Sequence, residues 1–231
     1  VPGLMKRHRV VAPGSPINNR FIPGRGKEWF EQNSTQNLYS ACIAQNYFSP
    51  ELCVGPTEPS GHIAVKADYN YNLYSPILGR YWDTTFKARL DQASNVSFAH
   101  LPLAGKRRKQ EWRNSMNSEF AVIGNRGPEL GDLDVDVYGR SITLDIHGTR
   151  KQWIGNIGYN DNHIGTHNTF HPEGIDYWNT DVRRMLPDNL FDNDTAAATS
   201  AQGYDIWLVM YYVILGTGPA DPGINMFLTW D

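Results

Sequence analysis

The strongest strand signals of the chain lie in residues 141–170, SITLDIHGTRKQWIGNIGYNDNHIGTHNTF. Residues 141–146 alternate apolar and polar side chains, which is the period of a half-buried strand. Residues 153–159 and 163–167 predict two further strands, and the residues between them, Asn160, Asp161 and Asn162, favour tight turns. The stretch therefore predicts one strand followed by a β-hairpin.

Other segments predict one helix and several strands around this hairpin. A helix should begin near Ser34 and end by Pro50, because apolar residues recur at helical spacing at Leu38, Tyr39, Cys42 and Ile43. Strands are predicted at residues 69–73, 95–101, 120–124, 206–215 and 224–230, with the last two pairing. Residues 1–25 are rich in Pro, Gly and Asn and predict an extended arm. The predicted class is α+β, one helix packed on an antiparallel sheet with long loops.

Composition limits the classes of function. The chain has 231 residues, 40% of them hydrophobic, which is enough for one domain over residues 26–231. A net charge of −3 gives no electrostatic case for nucleic acid or an anionic membrane surface. The basic run at residues 106–109 is interpreted as a solvated loop in preference to a phosphate site. No apolar run approaches the roughly 20 residues that a membrane-spanning helix needs, so no membrane span is expected.

Two cysteines, Cys42 and Cys53, flank the predicted end of the helix. Their spacing suits a disulfide that joins the helix to the following loop, as in many secreted domains. Two buried free thiols are the alternative.

Two groups of residues are candidate metal ligands. Three acids at alternate positions, Asp132, Asp134 and Asp136, suggest calcium, and a solvated acidic loop is the alternative. His163 and His167 would lie on one face of a strand about 13 Å apart, which is too far for one ion. These histidines are either metal ligands or, as we favour, turn and surface residues. No other cofactor is expected, and the absence of nucleophile or phosphate-binding motifs argues against an enzyme.

Two segments carry candidate contacts with a partner. Tyr69 and Tyr71 alternate with polar residues, which suits the core, a subunit contact or sugar binding. The arm offers few apolar groups, among them Ile17 and Phe21, against the entropy cost of ordering it. We expect these two residues to contact a neighbouring subunit.

Residues 153–164, WIGNIGYNDNHI, resemble the closing hairpin of planctomycete-type type II secretion pseudopilin-like proteins. Asp161, Asn162 and His163 fall on the Asp, Gly and His of that family's turn, with Asn162 replacing Gly. Similar segments lie at residues 37–39, 47–56 and 188–191. The resemblance implies a pilin-like α+β headpiece in an extracellular or cell-surface assembly, and it implies no catalytic residue.

The sequence therefore predicts an extracellular structural protein that self-assembles into a filament, tube or surface layer. The alternative is a secreted carbohydrate-binding or glycan-processing β-rich domain, with a glycan as partner. The chain opens at Val1 with no hydrophobic stretch, so we expect a processed chain without the apolar helix through which pilin relatives polymerise.

Overall fold

The computed structural model combines α-helices with antiparallel sheets, in agreement with the predicted α+β class. It describes residues 5–8, 20–23, 27–28, 33–75, 80–113, 116–196, 200, 202–213 and 226–230. Over these residues the helices are α1 Thr35–Ala44, α2 Gly105–Gln110 and α3 Val135–Tyr138. The strands are β1 Met5–His8, β2 Arg20–Pro23, β3 Lys27–Glu28, β4 Ala88–Arg89, β5 Ala93–Ser94, β6 Phe98–His100, β7 Ala121–Asn125, β8 Gly155–Tyr159, β9 Ile164–His167, β10 Asp176–Asn179, β11 Arg184–Pro187, β12 Tyr211–Val213 and β13 Met226–Leu228.

Helix α1 begins where the sequence predicts. The side chain of Ser34 accepts a hydrogen bond from the backbone N–H of Asn37, which satisfies one of the free donors of the first turn. The buried face includes Leu38, Tyr39 and Ile43, the predicted apolar stripe. The helix ends at Ala44, before Pro50.

The largest sheet has four antiparallel strands in the order β6-β7-β8-β9. Strands β8 and β9 form the predicted hairpin, and the backbone N–H of Tyr159 donates to the carbonyl of His163 at 3.0 Å. Asn162 has φ of 72°, a conformation that Asn tolerates better than most residues other than Gly. The predicted hairpin is therefore confirmed.

The predicted pairing near the end of the chain is also confirmed, because β12 and β13 pair antiparallel. Two further pairs are β4 with β5 and β10 with β11. Within residues 1–25, β1 pairs with β2, and β1 also pairs with β3, which follows this segment. The predicted arm therefore contains regular structure that its composition did not indicate. The division of the chain into an arm, residues 1–25, and a single domain, residues 26–231, stays a prediction.

Two predicted strands are wrong. Residues Ile142–Asp145 form a 3₁₀ helix, which Ser141 caps by accepting a hydrogen bond from the backbone N–H of Thr143. Residues Tyr71–Leu73 form another, capped in the same way by Asn70. In both segments a short polar side chain bonds the backbone two residues on, and this local bond competes with strand pairing.

The core combines buried side chains of α1, of the four-stranded sheet and of the segment 206–211. That segment joins the sheet through a bridge between His100 and Val209. Trp153, Phe170 and Phe191 pack edge to face with centroid separations of 5.2–5.5 Å. The indole N–H of Trp153 donates to the carbonyl of Arg126, so the buried ring has no unsatisfied donor.

Candidate functional site

An apolar groove of about 330 Å³ lies on the outer face of the four-stranded sheet. In register, Ile123 faces Gly158 and Gly158 faces Ile164, while the alternate residue Ile157 points into the core. The side chains of Leu52, Ile123 and Ile164 are 69%, 40% and 74% exposed. Exposed apolar residues that are contiguous, unlike scattered ones, mark an interaction surface.

The helical side of the groove is held against the sheet by Tyr39. Its hydroxyl donates to the carbonyl of Phe98 at 3.2 Å, and its ring packs on Phe48 at 6.0 Å. His100 on β6 contacts the same tyrosine ring, and its Nε2 forms a hydrogen bond with the hydroxyl of Thr35. Helix α1 thus covers β6 and leaves the outer face of β7, β8 and β9 open.

The residues that line the groove include Gly158, which lies between two projecting side chains. Gly158 has no side chain, whereas its cross-strand neighbours Ile123 and Ile164 project on either side. A Cβ atom at Gly158 would lie only 3.1 Å from Ile123 Cγ2, so the Ile123 side chain crowds this position. The outer face therefore offers both a groove and apolar projections within a few residues.

A second concave site, a cavity of about 480 Å³, lies between the β10–β11 hairpin and the segment around Tyr204. Its walls include Trp178, Tyr177 and Phe120, and the ring of Phe120 stacks on Tyr204 at 5.6 Å. The Tyr204 hydroxyl donates to Glu111 at 2.6 Å. Two buried acids, Asp188 and Asp205, lie on the cavity wall, and this combination of aromatic and acidic groups suits a polar ligand.

Arg107 contacts one of these acids, Asp205, and its side chain is 0% exposed. It forms an ion pair with Asp205, donates from Nε to the Asp205 carbonyl at 2.8 Å, and donates from Nη2 to Asn193 at 2.7 Å. Its guanidinium lies 5.2 Å from the ring centre of Trp207. The predicted solvated loop is therefore wrong for Arg107, which α2 directs into the core.

Among the described residues, one group of acids is placed to hold a metal ion: Asp188, Asp194 and Asp205. Each offers a ligand atom, and these atoms lie within 4.8 Å of one another. Burial and the charges of Asp205 and Asp194 raise the pKa of Asp188 to about 8. Burial also raises the pKa of Asp205, although Arg107 acts against that shift.

The acids predicted as calcium ligands are exposed and are not in this group. Asp132 accepts a bond from the backbone N–H of Asp134, and Asp134 accepts one from that of Asp136. Asp136 pairs with Arg140 at 3.0 Å. Each of these carboxylates is thus bonded to a donor a few residues further along the chain, and the three do not converge on one point.

The two candidate histidines lie against Tyr159 and not around a common metal position. The ring of His163 stacks on Tyr159 at 4.4 Å, and its Nδ1 is 2.6 Å from Asp161. His167 Nε2 bonds the Tyr159 hydroxyl at 2.9 Å. The interpretation of His163 and His167 as turn and surface histidines stays a prediction.

Cys42 and Cys53 are free, buried thiols, in contrast to the predicted disulfide. Burial raises the pKa of each thiol to about 12. Because the thiolate is the species that forms disulfides, these cysteines are poorly reactive where they lie. The alternative of two free thiols therefore describes the structure.

Two of the predicted contact residues, Tyr69 and Tyr71, are not among the described lining residues of either concave site. Tyr69 is half-buried, its ring 4.7 Å from Tyr71 and 6.2 Å from Phe86, so it belongs to the edge of the core. Tyr71 is exposed. Phe21 lies in β2, opposite Arg7, and Ile17 lies outside the described residues.

A scan against protein-family models, a search of curated proteins and a search of solved structures found no match to this chain. In the part of the chain that the structure describes, no helix has the length and apolar character needed to cross a membrane.

Sequence reasoning missed the residues at both concave sites. Arg107 lies in a basic run whose composition indicates solvent, and Asp205 lies 98 positions away. One signal was present, because Asp205 directly precedes the apolar run 206–215 and an acid beside a buried strand needs a partner.

Proposed function

We propose that the protein is a structural subunit that associates with copies of itself through the open face of its four-stranded sheet. The apolar groove lined by Leu52, Ile123 and Ile164 is the observation that carries this proposal. Covering these side chains removes apolar area from water, which is the main driving force of association.

The occupant that best fits the groove is a second copy of the same face. A twofold contact requires a self-complementary surface, in which a projection of one copy fills a hollow of the other. The outer face provides both, because Ile164 projects beside the groove that Gly158 lines. The groove carries no charged lining residue that would have to be paired on contact.

The resemblance to pseudopilin-like proteins supports an assembly of this kind. The hairpin with Asn162 at positive φ and the packing of α1 against β6 agree with a pilin-like headpiece. The proposal includes an extracellular or cell-surface location and no catalytic activity, both of which come from the resemblance.

Sedimentation velocity of the purified chain over a range of concentrations tests the proposal. The substitution Ile164→Lys should leave the fold intact, because the side chain is 74% exposed. Two copies of Ile164 in a twofold contact would contribute about 3 kcal/mol, so the dimer Kd should rise about 100-fold.

Val182→Lys is the matched control, since Val182 is a 54% exposed β-branched residue in the turn between β10 and β11. It should leave the association constant unchanged. A wild-type chain that stays monomeric at all concentrations would overturn the proposal. So would equal association of the two variants.

Binding of a glycan in the aromatic and acidic cavity is the second candidate function. Trp178 is 55% exposed at its edge, and amphipathic aromatic rings are the usual platform for sugars. Trp178→Ala should abolish any binding to a polysaccharide array, whereas Tyr71→Ala should not. An array on which neither the wild-type chain nor the variants bind would remove this candidate.

A further inference from the structure

The inner wall of the aromatic cavity holds a group of three acids, one of which has a buried carboxylate oxygen without a hydrogen-bond partner. Asp188 and Asp205 are each 2% exposed and both line the cavity, and Asp194 joins them from the adjoining turn. We propose that these three acids bind one hard divalent cation of calcium size, which enters through the cavity.

The spacing of the three acids suits a single ion. Their ligand atoms lie within 4.8 Å of one another. Calcium binds oxygen ligands at about 2.3–2.6 Å, so ligands on opposite sides of one ion are separated by about 4.6–5.2 Å. One ion can therefore touch all three carboxylates, and water in the cavity can complete its six to eight ligands.

One carboxylate oxygen at this point has no partner. Asp188 Oδ2 accepts a hydrogen bond from the backbone N–H of Ile206 at 2.9 Å, while Asp188 Oδ1 is buried and accepts none among the described residues. A buried carboxylate oxygen without a donor is costly and rare. A bound cation would satisfy it directly.

The other two acids are held in place by the backbone and by neighbouring side chains. Asp205 accepts hydrogen bonds from the Thr195 hydroxyl at 2.5 Å and from the backbone N–H of Asp194 at 2.7 Å. Asp194 accepts one from the backbone N–H of Asn189 at 2.9 Å. These hydrogen bonds hold the carboxylates of Asp194 and Asp205 in position before an ion binds.

Arg107 alone does not balance the charge of this group. Its described hydrogen bonds go to Asp205 and Asn193, and none goes to Asp188 or Asp194. With all three carboxylates ionised, as cation binding requires, the three acids and Arg107 carry a net charge of −2, which a divalent cation would neutralise. Oxygen-only ligands select calcium, magnesium or manganese over zinc or copper.

Isothermal titration of the EDTA-treated full chain with calcium chloride tests the site. We expect one calcium per chain and a higher thermal midpoint with calcium than with EDTA. Asp188→Asn keeps an oxygen for the Ile206 N–H but removes a charged ligand, so calcium affinity should fall at least about tenfold. Asp194→Asn, at a half-buried position, should give a similar loss and serves if the first variant does not fold.

Asp134→Asn is the matched control, because Asp134 is an exposed acid of the sequence-predicted calcium loop. It should leave calcium affinity unchanged. Parallel titrations with magnesium chloride should give weaker binding, because magnesium demands shorter and more regular coordination. The proposal is overturned if the wild-type chain takes up no calcium and its thermal midpoint ignores EDTA. That outcome would mean that a proton on Asp188 fills the place of the cation. Calcium binding that Asp134→Asn abolishes and Asp188→Asn does not would also overturn it.

Discussion

His100, a fully buried residue of β6, should make the protein lose stability on acidification. Its Nδ1 lies 2.8 Å from the carbonyl of Leu101, and its Nε2 lies 3.0 Å from the hydroxyl of Thr35. A carbonyl only accepts, so Nδ1 carries the proton and Nε2 accepts from Thr35. That hydroxyl oxygen in turn accepts from the backbone N–H of Tyr211 at 2.9 Å. The neutral imidazole therefore completes a buried chain of hydrogen bonds.

Burial lowers the pKa of His100 from 6.5 to about 4. Between these two values the unfolded chain binds a proton that the folded chain does not, so stability falls as the pH falls from 6.5 to 4. The difference between a pKa of 6.5 in the unfolded chain and about 4 in the folded chain corresponds to about 3 kcal/mol of stability, at about 1.4 kcal/mol per pH unit. Above pH 6.5 His100 is neutral in both the folded and the unfolded chain, so its titration no longer changes the stability.

Urea unfolding of the wild-type chain and of His100→Asn at several pH values between 4 and 7 measures this contribution. Asn does not titrate, so the stability difference between the two proteins should shrink by about 3 kcal/mol from pH 7 to pH 4. Subtraction removes the contribution of every other titrating group. The exposed His147 gives the control, and His147→Asn should keep the wild-type pH dependence. A pH-independent difference between His100→Asn and the wild type would refute a buried, neutral His100.

Three further outcomes are expected. Asn162→Gly should be neutral or stabilising in thermal unfolding, whereas Asn162→Val should cost about 1–2 kcal/mol because a β-branched residue is strained at φ of 72°; equal midpoints would contradict this account of the turn. Cys42 and Cys53 should resist a thiol reagent in the native chain and both react in urea, with no mass change on reduction; a gain of two mass units on reduction would instead reveal a disulfide. Deleting residues 1–20 should leave a folded chain that stops at the dimer in sedimentation velocity, because a twofold contact closes on itself and we expect the arm to supply the second contact that growth needs. Polymers of unchanged size would show that the arm takes no part.

The elements that follow from the sequence are those whose causes lie in neighbouring residues. Ser34 and the apolar stripe after it are enough to place α1. The turn residues ending in Asn162 are enough to place the β8–β9 hairpin. The failure at residues 141–146 has a local cause as well, because the Ser141 hydroxyl bonds the backbone of Thr143 and outweighs the alternating pattern.

The candidate sites, by contrast, depend on contacts between distant parts of the chain. The groove combines Leu52, from the 3₁₀ helix Pro50–Cys53 that follows α1, with Ile123 and Ile164 from two strands. Only strand register puts the isoleucines on either side of Gly158. A period of two fixes which residues share a face, but it does not fix which face the helix covers.

The acidic site shows the same division. The sequence shows many acids and a basic run, and exposed clusters such as Asp132 to Asp136 have the stronger local pattern. Only the tertiary structure selects Arg107 from that run and buries it with Asp205, since burial of a charge is decided by the partner that the fold brings to it. The residues next to Asp188 in sequence are uncharged, and only the tertiary structure buries this acid and brings it close to Asp194 and Asp205.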